Sequence, residues 1–99
     1  MTRRMARYVV PADGQPHTLD AGGHPRQVAA DRYPTTPGKP PTHVVEFWAE
    51  HNDRDPGSHR TFQVFGTGHP LPDGATWRGT CARTPGGMVW HLYEVPGDG

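Results

Sequence analysis

Apolar and polar residues alternate with a period of two along much of the chain, and nowhere do they recur at the spacing of an amphipathic helix. The clearest stretch is 43–50, where Val45, Phe47 and Ala49 share one face and Glu46, Trp48 and Glu50 the other. Segment 60–66 repeats the pattern, with Phe62 and Val64 opposite Thr61, Gln63 and Phe65. The polar stretch 51–58 between them reads as a long hairpin loop, with Asp53 and Asp55 serving the turn, so these two strands are expected to pair antiparallel. A strand over 76–83 sets Trp77, Gly79 and Cys81 on one side, and Pro85-Gly86-Gly87 turns it back into a closing strand over 88–95. On that closing strand Met88, Trp90 and Leu92 share one face, and Val89, His91, Tyr93 and Val95 the other. A strand apolar on both faces belongs in the middle of a sheet with cover on each side. Nearer the start, 6–10 alternates Tyr8 and Val10 with Arg7 and Val9, 15–21 forms a weaker strand with Leu19 inward, and 26–32 is a short edge carrying Val28 and Ala30.

Turn residues punctuate this pattern. Thirteen glycines and twelve prolines in 99 residues penalise any long helix, because each breaks the helix interior, whereas short strands tolerate them. From Tyr33 to Thr42 the chain carries Pro34, Pro37, Pro40 and Pro41, too many missing N–H groups for a sheet ladder. That stretch reads as a loop of polyproline character, serving either as a solvated connection or as a partner-binding strip. The expected fold is all-β: one domain over 1–99, built as a small antiparallel sandwich or open barrel of about six or seven short strands. Its core must rest on aromatic rings, since only 32% of residues are apolar.

Charge narrows the partners. Ten basic and ten acidic residues cancel, which leaves no general attraction for nucleic acid or an anionic membrane. Arg3, Arg4 and Arg7 cluster at the start and read as a frayed terminus. Cys81 is the single cysteine, so no internal disulfide can form and an intracellular setting fits best. No apolar run approaches the roughly 18 residues of a membrane span.

Candidate chemistry is sparse. Seven histidines invite a metal, but there is no His-x-His pair, no Cys pair and no His-Glu-x-x-His motif, so no metal and no cofactor is expected. Cys81 falls on a strand face shared with Trp77 and reads as a small buried thiol rather than a nucleophile. Glu94 and Glu46 either pair across strands or face solvent, and nothing resembles an acid–base dyad. The most conspicuous local signal is Gly66-Thr67-Gly68-His69-Pro70. It is not a phosphate-binding loop, because Pro70, Pro72 and Gly74 forbid the helix such a loop requires. A backbone nest that directs N–H groups at an anion is compatible with the glycines. Gly66, Thr67, Gly68 and His69 are therefore the candidate ligand contacts, with Trp48 added because it shares its face with Glu46 and Glu50 and is placed to stack on a partner or a base.

The run Phe65-Gly66-Thr67-Gly68-His69-Pro70-Leu71-Pro72, then Trp77-Arg78-Gly79-Thr80, then Gly86-Gly87-Met88-Val89-Trp90-His91-Leu92-Tyr93-Glu94 resembles small phage-encoded proteins grouped as a domain of unknown function. The resemblance implies a bacteriophage or prophage origin and one compact β domain, and it carries no catalytic residue. The expected function is a non-enzymatic phage accessory protein, acting in the host cytoplasm during infection, that binds a host protein or a small anionic ligand. One alternative is a structural component of the virion, self-associating through its proline-rich and terminal segments. The other is a metal-dependent enzyme.

Overall fold

The computed structural model describes residues 3–33, 38, 42–52 and 58–97, and among them every regular element is a strand. Seven strands are formed by the described residues: β1 (Arg3–Pro11), β2 (His17–Ala21), β3 (Gln27–Tyr33), β4 (Thr42–Asn52), β5 (Ser58–Gly66), β6 (Thr76–Thr80) and β7 (Trp90–Val95). They build two antiparallel sheets, one ordered β1-β4-β3 and the other β2-β5-β7-β6. Most of the expected proline-rich loop, and Asp53 and Asp55, lie outside the described residues.

Alternation decides which residues enter the core. Val45, Phe47 and Ala49 of β4 meet Phe62 and Val64 of β5 and Leu92 of β7, all fully or almost fully buried, with Val10, Ala21 and Cys81 completing the cluster. Tyr8 stacks on Phe47 at 5.0 Å within one sheet, and Phe47 meets Phe62 at 4.9 Å across the two. Ring contacts of this kind contribute beyond their buried area; Phe47 and Phe62 are the only rings in the buried cluster among the described residues, however, and aliphatic side chains make up most of the rest, so the core rests less on aromatic rings than the composition suggests.

Pairing differs from the expected pattern at one point. Strands β4 and β5 are not a hairpin: β4 lies between β1 and β3, while β5 lies between β2 and β7. Period-two alternation fixes a strand's faces but says nothing about its neighbours, and the connection 53–57 carries the chain from one sheet to the other. Arg3, Arg4 and Arg7, expected as part of a frayed terminus, instead lie in β1, where Arg3 pairs with Asn52 and the ladder runs unbroken to Pro11. Strands β6 and β7 do form the expected antiparallel pair, but over Thr76–Thr80 and Trp90–Val95 only.

Two contacts fix the four-stranded sheet, one against the other sheet and one within itself. At the β3/β6 side, Gly79 approaches Val28 so closely that a Cβ on it would lie 2.8 Å from Val28 Cγ2. Its backbone is not left-handed, so glycine is needed there for space alone. Gly79→Ala should destabilise the domain by about 1–3 kcal/mol through overpacking, and adding Val28→Ala should recover most of that loss. Urea unfolding of the two single variants and the double variant checks the coupling.

The second contact is ionic. Arg60 Nε donates to Glu94 Oε2 at 2.9 Å and Arg60 Nη2 to Oε1 at 2.6 Å, while Arg78 Nε donates to Oε1 at 2.9 Å. Arg60 also donates to the Gly23 carbonyl and lies over the Phe62 ring, 5.4 Å from its centre. Glu94 is therefore paired with two arginines of its own sheet and not with Glu46, which belongs to the other sheet and lies 3.6 Å from Arg7.

Candidate functional site

Strand β6 carries a β-bulge. Trp77 opposes Tyr93 and Gly79 opposes Leu92, so Arg78 is the extra residue between them. Without it, Trp77 and Gly79 would share a face, as alternation alone predicts. The bulge shifts the parity, turns Gly79 toward Val28 and Arg78 toward Glu94, and leaves Trp77 on the outer face, 59% exposed. Re-aiming a side chain is a common consequence of such insertions.

The exposed indole is held in place. Trp77 Nε1 donates to Thr80 Oγ1, Thr80 Oγ1 meets His91 Nδ1, and His91 Nε2 meets Thr67 Oγ1, each at 2.9 Å. The indole N–H can only donate, so the Thr80 oxygen is its acceptor. One line of side-chain hydrogen bonds thus joins β6, β7 and the glycine corner.

That corner begins a strap. Strands β5 and β6 flank β7, so the connection 67–75 must cross β7. It does so on the outer face, tied to His91 through Thr67 and resting Gly74 against Pro96, where a Cβ would lie 2.9 Å from Cγ. The strap and its neighbours explain how β7 bears apolar residues on both faces: Val95 is buried, and Phe65 is buried in an edge-to-face contact with Tyr93 at 5.6 Å. Within the corner, the His69 N–H donates to the Gly66 carbonyl and the Gly66 N–H donates to His69 Nδ1, both at 3.2 Å. Gly68 takes a φ of 89° while Thr67 does not enter the left-handed region, the pattern of a type II turn. Two of the N–H groups available to an anion are therefore used inside the turn.

Four of the five candidate residues, Gly66, Thr67, Gly68 and His69, lie together around a cleft of about 170 Å³ that Phe65, Leu71, His91 and Tyr93 also line. Trp48 does not join them. It sits half-buried on the outer face of the other sheet, opposite Arg7 and Gln27. Trp77, which sequence reasoning placed in the core, takes the exposed position instead. The signal for that lies in the third dimension: Gly79 and Arg78 each have inward partners, and only an inserted residue lets both reach them.

The two outer faces differ in chemistry. On the three-stranded sheet, Arg3, Arg7, Glu46 and Glu50 pair with one another at 3.6 Å separations. Among the described residues that register places on the outer face of the four-stranded sheet, none is a lysine or arginine. Thr18, Thr61, Gln63, Phe65, Trp77, Thr80, His91 and Tyr93 dominate it. An open groove of about 670 Å³ continues this face between the strap and β2, floored by Thr61 and Gln63 and walled by Pro16, Pro72 and Pro96. Burial pushes the Cys81 thiol up to about 11, so it stays protonated at neutral pH and is a poor nucleophile. Among the described residues, no three histidine, cysteine, aspartate or glutamate side chains come together as a metal site.

Fold and face together define a small two-sheet β domain with one outer face carrying arginine–glutamate pairs and one aromatic-bearing outer face without a lysine or arginine among the described residues. A family model described as a domain of unknown function, DUF7352, matches residues 1–99, and the chain belongs to that family. No curated protein and no solved structure matches it.

Proposed function

We propose that this chain is a non-enzymatic phage accessory protein that binds a host protein through the outer face of its four-stranded sheet. The phage assignment rests on the resemblance carried by the Gly-Thr-Gly-His-Pro corner and the Trp-His-Leu-Tyr-Glu strand. The observation that carries the binding reading is Trp77, exposed yet anchored by a hydrogen-bonded line to Thr67. Protein interfaces are poor in charge at their centres and enriched in tryptophan and tyrosine. A rigid ring also loses little freedom on binding. Leu71, 47% exposed beside the corner, extends the apolar contact. A protein partner suits this face better than a small anion, because no lysine or arginine lies on it among the described residues and two of the corner's N–H groups, those of Gly66 and His69, are engaged within the turn.

Affinity capture from infected host cells with the wild-type chain, Trp77→Ser and Trp48→Ser tests the reading. A protein retained by the wild type and by Trp48→Ser, and bound at least about 30-fold more weakly by Trp77→Ser once purified, is the expected result. Equal loss in the Trp48 variant, or none in the Trp77 variant, contradicts it. The virion alternative predicts many copies per purified particle by mass spectrometry, whereas an accessory protein of the host cytoplasm is absent from particles.

A further inference from the structure

We infer that the mouth of the sandwich beside Arg32 and His43 binds a small phosphate monoester, at a site separate from the Trp77 face. Register puts these two side chains there. Arg32 opposes His43 in the β3/β4 ladder, two places beyond Ala30 opposite Val45 and four beyond Val28 opposite Phe47. The parity that sends Val45 and Phe47 into the core therefore turns Arg32 and His43 toward the space between the sheets. Both are exposed at its open end. A cleft of about 260 Å³ opens at this point, lined by Ala30, Arg32 and His43 on one side and by Thr84, Gly86 and Met88 on the other.

This is where positive charge goes unanswered. Among the described residues, Glu46, Glu50 and Glu94 each have an arginine partner, and Asp13 has His17. Arg26, Arg32 and Arg83 have no carboxylate at ion-pair distance among the described residues. Arg32 borders the cleft, and Arg83 borders the wider cleft of about 600 Å³ that continues from it past Ala30 and Thr84. Asp31 also lines the cleft, but its carboxylate accepts the Arg32 N–H at 2.7 Å and alternation places it on the opposite face of β3. The connection 34–41 contains no acidic residue. Basic side chains directly opposite each other in a ladder oppose folding when both are charged, and an anion between them reverses that sign.

The neighbouring donors suit a phosphate ester. Thr84 Oγ1 accepts the Met88 N–H at 3.0 Å, which leaves the hydroxyl hydrogen to donate. The Gly86 N–H has no acceptor among the described residues. The planar guanidinium of arginine matches phosphate oxygens two at a time, and a phosphate dianion can engage Arg32 and His43 together. Met88, 43% exposed, and Ala30 supply an apolar wall for the short body that carries the phosphate.

Titration of the full chain with phenyl phosphate at pH 7, followed in amide NMR spectra, tests this. The expected dissociation constant is below about 1 mM, with shifts centred on Arg32, His43 and Gly86. Arg32→Gln and His43→Gln should each weaken binding at least about tenfold. Arg26→Gln, just before β3 and about 20 Å from Arg32, should leave it unchanged, as should Trp77→Ser. Benzoate, with one negative charge, should bind at least about tenfold more weakly than phenyl phosphate. All four substitutions alter exposed positions, and the same spectra show that each variant is folded. No saturation by about 10 mM, full binding in either cleft variant, a comparable loss in Arg26→Gln or Trp77→Ser, or equal affinity for benzoate overturns the inference. A phosphotyrosyl peptide that binds at least about tenfold more tightly than phenyl phosphate would place the phosphate on a protein chain and overturn the small-molecule reading. None of these outcomes bears on protein capture through Trp77.

Discussion

Phe47→Ala should lower the unfolding free energy by about 3–5 kcal/mol, the usual consequence of removing a fully buried ring. Phe47 is completely inaccessible and joins the sheets, stacked on Tyr8 on one side and tilted against Phe62 on the other. Domains of this size are stable by only about 5–15 kcal/mol, so the variant should be partly unfolded at ordinary temperatures. Urea titration measures the change, with Met5→Ala as a control: Met5 is 56% exposed and should move the midpoint little. A loss below about 1 kcal/mol at Phe47 would mean that these rings do not join the sheets.

The second large effect depends on pH. The hydrogen bond from Arg60, supported by that from Arg78, pulls the Glu94 carboxyl down from 4.5 to about 2 against the opposing effect of burial. Folding thus favours the ionised form. Above the ordinary carboxylate range both folded and unfolded chains are ionised and the stabilisation is complete. As pH falls below about 4.5 the unfolded chain takes up the proton first, and stability declines until the folded carboxyl titrates near 2. The contribution lost over that window is on the order of 2–3 kcal/mol. Glu94→Gln should be less stable at pH 7, because it leaves Arg60, only 10% exposed, without its carboxylate. It should also show a flatter decline between pH 5 and pH 2. The difference between wild type and variant in urea unfolding across that range isolates Glu94 from the other acids. A difference that does not shrink on acidification would show that the carboxylate is not preferentially ionised in the fold.

How far the sequence could be read depended on which interactions were local. Val45, Phe47 and Ala49 announce their common face because a strand's side chains alternate whatever lies beside it. The same rule is silent about neighbours, which is why β4 and β5, adjacent in the chain, were expected to pair and instead sit in different sheets. Parity is also fragile. One inserted residue at Arg78 reverses the face of Trp77, and nothing in Thr76-Trp77-Arg78-Gly79-Thr80 marks the insertion, because its causes are the distant partners Val28 and Glu94. The doubly apolar closing strand was legible as a central, covered strand, but its outer cover proves to be the 67–75 strap, read from sequence only as a turn. Of the candidate site, the corner Gly66 to His69 could be picked out because glycine and proline chemistry is local. Thr80, His91 and Trp77, which share its hydrogen-bonded line, come from two other strands, and alternation points Trp77 to the core instead.

The binding face exists only if Trp77 of β6 points to solvent. A variant with Trp48→Phe and Trp90→Phe leaves Trp77 as the only tryptophan, and acrylamide quenching of its fluorescence measures the exposure of that ring. Ready quenching with red-shifted emission in the folded protein is the predicted result. Weak quenching with blue-shifted emission would place the indole between the sheets beside Val28, and the binding face would not exist.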